Sequence, residues 1–153
     1  MGNAEQLVVF SLDRQRFALP LAMVRRVVRA AEVTAIPNAP GVVSGVVDVQ
    51  GEVIAVLDVR ARLGMPHRPI SLSDQFLIAR TRQRSVALVI DQAQGLVEVT
   101  GIEAAPPSLD APWFSQFQGV AQLNDGLVLI QDLEKFLSPL EACVLDRALE
   151  EAS

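Results

Sequence analysis

This chain of 153 residues contains one cysteine, one histidine, one tryptophan and no tyrosine. A lone cysteine, Cys143, excludes an internal disulfide and suits a reducing compartment. One histidine, His67, far from that cysteine in sequence, leaves no spaced ligand set for a metal. The same scarcity removes the common nucleophile–base pairs, whose members must lie within hydrogen-bond reach. The strongest apolar runs, Val53–Leu57 and Val86–Ile90, fall far short of the roughly 18 residues that a membrane-spanning helix requires. The N-terminal MGNAEQ lacks the basic start and apolar stretch of a secretory leader, and Gln6 stands where a myristoylation site has Ser or Thr. Lys135 is the only lysine and the net charge is −5, which argues against a phosphate backbone as the main ligand. The scattered glycines form neither a Walker loop nor a dinucleotide fingerprint, and no cofactor is expected.

What is present is apolar and repeated. Half the residues are hydrophobic and the mean hydropathy is +0.33. In a domain this small, such an excess fills the cores and also covers a partner-binding surface. Gly45–Leu63, GVVDVQGEVIAVLDVRARL, recurs as Gly119–Leu137, GVAQLNDGLVLIQDLEKFL. Gly45 aligns with Gly119, Val56 with Ile130, Asp58 with Asp132 and Leu63 with Leu137. An earlier segment repeats as well: QLVVFSLDRQRFALP from Gln6 is matched by QFLIARTRQRSVALV from Gln75. Two similar half-domains follow, and their mutual arrangement is expected to create the site of action.

Short β-type runs separated by turn residues dominate. A hairpin is expected from Leu7–Leu12 through DRQR to Phe17–Leu19. Leu21, Val24 and Val28 have helical spacing after Pro20, although Val27–Arg29 also suits the start of a strand. Ile36–Gly41 is a proline-stiffened loop. Gly45–Leu57 reads as a hairpin around Gln50–Gly51. Its second strand, VIAVL, is apolar on both faces, so both sides must be covered. Asp58–Leu63 closes the half with a helical turn, and residues 64–69 form a joint. The second half has strands near Gln75–Arg80, Ser85–Ile90 and Leu96–Thr100, a hairpin around Asn124–Gly126 and a short helix over Asp132–Leu137. Pro139–Ala152 is a C-terminal helix starting at Ser138–Pro139, with Leu140, Cys143, Val144 and Ala148 toward the body.

The order QLVVFSL…RFALPLAMVRRVV…IPNAPGVVSGVVDVQGEVIAVLDVR resembles the CheW family of bacterial chemotaxis adaptors, from about Gln6 to Leu145. Ile36–Pro37, Gly45–Val46, Gly51 and Asp58–Val59–Arg60 carry that resemblance most specifically. It implies an all-β fold of two five-stranded SH3-like barrels around a shared core, plus a C-terminal helix. The expected division is about 16–70, with the N-terminal strand exchanged, about 71–138, and the helix 139–152. It also implies no catalysis and a cytoplasmic place in receptor arrays. The partners it implies are chemoreceptor cytoplasmic tips and the regulatory domain of a CheA-type histidine kinase. Val24, Ile36, Pro37, Asn38, Gly45, Asp48, Gln50 and Phe76 are the matched positions that would line the receptor groove; no motif marks kinase-facing residues. One departure stands out. The family turn reads Asn-x-Arg-Gly, whereas this chain has Asp48–Val49–Gln50–Gly51, a change of about two units toward negative charge. Either the partner is altered to match, or the adaptor serves a divergent kinase pathway such as surface motility.

Several residues carry two readings at this level. Val24, Ile36 and Phe76 fit either the groove or the core. Gly45 and Gly119 fit a strand bulge or the close approach of a partner helix; on the second reading Gly45→Asp spares the fold and weakens binding. Arg60 either pairs with carboxylates or faces a partner. Asp58 and Asp132 are read as helix caps, Arg80, Arg82 and Arg84 as a solvated strand face, and Cys143 as a small buried hydrophobe. Trp113 and Phe114 either anchor a contact or plug a barrel end. A nucleic-acid-binding SH3-like or OB-like module is opposed by the acidic charge and few aromatics, and a hydrolase by the missing constellation.

Overall fold

The computed structural model describes residues 4–102 and 117–152; Trp113 and Phe114 lie outside these. Among the described residues, ten strands form two five-stranded sheets. In chain order they are β1 (Glu5–Leu12), β2 (Gln15–Pro20), β3 (Val24–Arg29), β4 (Val43–Val49), β5 (Glu52–Leu57), β6 (Gln75–Arg80), β7 (Ser85–Ile90), β8 (Gln92–Val99), β9 (Phe117–Leu123) and β10 (Gly126–Gln131). A one-turn helix α1 (Val59–Arg62) follows β5, and α2 (Pro139–Ala152) ends the described chain. The expected mostly-β architecture with a C-terminal helix is what forms.

The sheet orders are β8-β1-β2-β10-β9 and β3-β6-β7-β5-β4. They are the same order once each strand of one repeat is exchanged for its counterpart in the other. Each sheet therefore joins a hairpin from one repeat to the last three strands of the other. Hairpin β1–β2 completes the second repeat's sheet through a parallel contact, Phe17 beside Leu129 and Ala18 beside Ile130. Hairpin β6–β7 completes the first through β5, with Ala55 beside Val86 and Leu57 beside Leu88. The crossover is short: Leu21–Met23 form a single 3-10 turn between β2 and β3, and Asp91 alone separates β7 from β8.

This interleaving explains why so many strands are apolar on both faces. Alternate side chains of a strand point to opposite sides of the sheet. Val8, Phe10 and Leu12 of β1 enter a core shared by both sheets, while Leu7 and Val9 enter a second cluster with Ala121, Val128 and Ile130. In the other sheet Ala55, Leu57, Leu77 and Leu88 face the shared core, and Ile54, Val56, Phe76 and Ala87 face a third cluster. Phe10 stacks on Phe17 and Phe17 on Phe117, with ring centroids 5.9 and 6.0 Å apart, tying hairpin β1–β2 to β9.

Several local expectations shift. The helical spacing after Pro20 yields only the turn Leu21–Met23, because Val24–Arg29 pair with β6 and the ladder overrides local propensity. The segment after Asp132 forms a 3-10 turn, Leu133–Lys135, in place of a six-residue helix. Helix α2 begins in a capping box. The Ser138 N–H donates to Glu141 Oε1 at 2.8 Å and the Glu141 N–H donates to Ser138 Oγ at 3.1 Å. Its docking face is Leu145 and Ala148, with Leu149 partly covered. Leu140 is 74% exposed and Cys143 is exposed, so the reading of Cys143 as a buried hydrophobe is corrected. Two residues of helix rotate a side chain by about 200°, so burying Leu145 turns Cys143 outward.

Gln131 is out of keeping with its surroundings. It is 1% exposed, and neither side-chain amide atom has a partner. It pairs across the ladder with Phe117, a shared-core residue, and its counterpart in the first repeat is the fully buried Leu57. An unpaired buried polar group costs about 1–3 kcal/mol. Gln131→Leu is therefore expected to raise stability by about 1–2 kcal/mol, read as a higher urea midpoint at unchanged slope. A lower midpoint would mean that the amide is satisfied in solution.

Candidate functional site

The turn between β4 and β5 has two residues, Gln50 and Gly51, with φ of +51° and +87°. Positive φ at both positions matches the right-handed strand twist, and Gly51 accepts it without strain. Asp48 braces the turn: the Gly51 N–H donates to Asp48 Oδ1 at 2.7 Å. Asp48 and Gln50 are both exposed, so the tip shows a carboxylate and an amide. Close by, Arg25 at the start of β3 reaches Ser85 Oγ at 3.2 Å and lies 3.9 Å from Glu52, which brings Val24 and the turn to one end of the sheet.

The segment from Ile36 to Asn38 is held against β4 by a backbone bridge. The Thr34 N–H donates to the Val46 carbonyl at 2.9 Å and the Val46 N–H returns to the Thr34 carbonyl at 2.8 Å. Pro37 and Asn38 are exposed, Ile36 is half-buried, and Asn38 takes φ +66°, a conformation that asparagine tolerates.

Gly45 lies directly beneath that bridge. It has φ +148°, and a Cβ there would meet the Thr34 carbonyl oxygen at 2.2 Å and Val33 Cγ1 at 2.8 Å. The close approach that Gly45 permits is made by the chain's own Val33–Thr34, so Gly45→Asp does not spare the fold. Phe76 is fully buried with Val56 and Ile78, and Val24 packs partly against the shared core. Of the eight residues singled out, Ile36, Pro37, Asn38, Asp48 and Gln50 reach the surface in full or in part, with Val24 at the margin. Gly45 and Phe76 support them from below.

A charged cluster missed in the sequence lies where the repeats cross. Arg60, on α1, is 5% exposed. Its Nη2 donates to Asp13 Oδ1 at 2.8 Å, and to Asp91 Oδ1 and Oδ2 at 3.0 and 3.2 Å. Arg68 joins Asp91 at 2.5 Å to the buried Asp74 at 2.8 Å. The Asp13 N–H donates to Asp91 Oδ2 at 2.6 Å. Asp13 is in the β1–β2 turn and Asp91 between β7 and β8, so one guanidinium ties both exchanged hairpins to α1. The two readings of Arg60 resolve in favour of carboxylate pairing. The hydrogen bond from Arg60 holds the Asp13 carboxyl below the usual carboxylate range. The Asp–x–Arg order was the available signal, but its partners lie 47 and 31 residues away in sequence.

Asp58 caps α1 as expected, accepting from the Ala61 N–H at 3.0 Å. Asp132 makes no such cap; its carboxylate lies 3.9 Å from Lys135 instead, because the 3-10 turn places the side chains differently. Of the three alternating arginines, Arg84 pairs with Asp146, while Arg80 and Arg82 are solvated. His67 is exposed on an open cleft of about 720 Å³ whose lining includes Ile70, Leu72 and Val89. No group of three His, Cys, Asp or Glu residues suited to a metal occurs among the described residues, and no helix there is long and apolar enough to cross a membrane.

Comparison with known proteins bears on the family and the fold. A probable chemotaxis protein CheW of Rhizobium etli is 26% identical over 139 residues, covering 90% of each chain. The chemotaxis protein CheW of Bacillus subtilis is 24% identical over 137 residues, covering 88% of each. The crystal structure of the scaffolding protein TtCheW from Thermoanaerobacter tengcongensis superposes with a TM-score of 0.79 at 23% identity, covering 92% of both chains. The profile of the CheW-like domain matches residues 6–141, and the chain belongs to that family.

Proposed function

We propose that this chain is a non-catalytic adaptor that couples chemoreceptor cytoplasmic tips to the regulatory domain of a CheA-type histidine kinase. The observation that carries this reading is the CheW-like match across residues 6–141, with relatives named as chemotaxis proteins over nearly their whole length. The receptor would lie along the half-buried and exposed positions Val24, Ile36, Pro37, Asn38, Asp48 and Gln50, in the cytoplasm beneath the array. The non-catalytic reading is supported by how the buried charges are used: Arg60 and Asp74 are committed to a network that binds segments of the chain together. Individual contacts would be modest, and multivalency in an array would supply avidity.

Pairwise calorimetry tests the reading. The purified chain should bind a CheA-type regulatory domain and a receptor-tip hairpin separately, at different surfaces. Failure to bind either would remove the proposal. The turn favours a second reading, an adaptor of a divergent kinase pathway, because Asp48 and Gln50 alter its charge. Gln50→Arg should strengthen binding to receptors of ordinary chemotaxis systems by several-fold; an unchanged affinity would take that meaning from Gln50.

A further inference from the structure

Strands β3 and β8 are the same element in the two repeats, and each is the end strand of its sheet. Val27 lies opposite Leu77 and its counterpart Leu96 opposite Val8; both are exposed, at 36% and 58%. Charge is where the two edges part. Arg29 lies opposite Gln75, whereas Glu98 lies opposite Gln6. Arg26 corresponds to Gly95, and Arg80 ends β6 beside β3. Arg26, Arg29 and Arg80 are exposed and form no ion pair among the described residues; Arg14, Arg82 and Arg147 are likewise free but do not lie on this edge, while Arg16, Arg25, Arg60, Arg62, Arg68 and Arg84 each hold a carboxylate. Three uncommitted guanidiniums along one edge of a chain with net charge −5 form a local field opposite to that of the whole.

We propose that the β3 edge docks an extended acidic segment of a partner protein, added as a further strand beside Val24–Arg29. An edge strand offers unpaired backbone groups that a partner strand can use. The side chains then set the pattern: carboxylates opposite Arg26 and Arg29, and an aliphatic residue opposite Val27. Such a segment reads acidic, apolar, any residue, acidic. Charged edges also serve simply to repel other strands, but that role works with either sign and needs no ligand. The proposal rests on the adaptor reading and adds the chemistry of one partner surface.

The test uses the full chain and a labelled ten-residue peptide built around Glu-Val-Val-Glu, which carries that pattern in either strand direction, followed by fluorescence anisotropy. The peptide should bind at 50 mM salt and weaken several-fold at 300 mM, as exposed ion pairs are screened. Arg26→Glu with Arg29→Glu should weaken it by about tenfold or more, while Glu98→Lys on β8 should leave it unchanged. Bound peptide should slow amide exchange over Val24–Arg29 and not over Gln92–Val99. No binding at low salt, equal binding of a Lys-for-Glu peptide, or an unaffected double variant would overturn the proposal. Tighter binding of duplex DNA than of the peptide, or self-association through β8, would do so as well. Kinase-domain binding measured on the same samples keeps the two readings apart: if it persists while the peptide fails, only this inference falls.

Discussion

Gly45→Ala is expected to destabilise the protein by about 3–5 kcal/mol, enough to leave much of the chain unfolded at 37 °C. Two costs combine. A residue with a Cβ must adopt the strained φ of +148°, and its methyl would stand 2.2 Å from the Thr34 carbonyl oxygen. That atom is backbone and cannot rotate away. Relieving the clash means breaking the Thr34–Val46 bridge with its two hydrogen bonds, each worth about 1 kcal/mol, on top of about 1–3 kcal/mol of backbone strain. Urea titration of wild type and variant checks it. Gly51→Ala is the control, since nothing lies within 4 Å of a Cβ there and only its φ of +87° resists. A Gly45→Ala variant as stable as wild type would show that Val33–Thr34 is not seated on Gly45 in solution.

Asp91→Ala is the second large effect, at about 3–5 kcal/mol. It removes the acceptor of Arg60, Arg68 and the Asp13 N–H at once, leaving Arg60, 5% exposed, with Asp13 alone. One carboxylate, itself half exposed, does not fully compensate the lost solvation of a guanidinium in that setting. By contrast Arg25 and Glu52, about half exposed and 3.9 Å apart, should contribute well under 1 kcal/mol, and Glu52→Gln should hardly move the midpoint. Acid adds a second readout. The folded state lowers the Asp13 carboxyl through its hydrogen bond from Arg60. Burial opposes the charge of Glu141, yet the Ser138 N–H and Arg62 outweigh it and lower that carboxyl too. Groups lowered on folding stabilise the protein above their unfolded values and lose that contribution as pH falls through the folded ones. Stability should therefore drop on acidification below the usual carboxylate range, and the drop should shrink in Asp13→Asn.

The repeat, the hairpins at Gln50–Gly51 and Asn124–Gly126 and the doubly apolar strands were all legible, because each rests on local pattern. Which hairpin completes which sheet was not. Both hairpins have nearly the same sequence pattern, and the choice is made by tertiary packing and a one-residue connection at Asp91. The phase of α2 was misjudged for a related reason: Leu140, Val144 and Leu145 all read as apolar, and only the docked body selects Leu145. At the candidate surface, the family resemblance singled out the turn and the Pro37–Asn38 loop, while Gly45 and Phe76 needed coordinates to be placed beneath them. The Arg60 network was hidden, since none of its carboxylates lies near it in sequence.

Sedimentation velocity on a three-component mixture tests the central claim most directly. A receptor-tip hairpin and a CheA-type kinase lacking its own receptor contacts should migrate separately when mixed, and together as one faster boundary when this chain is added in equal amount. If the chain leaves their two boundaries unchanged at concentrations far above those of either partner, it does not join them and the account is wrong.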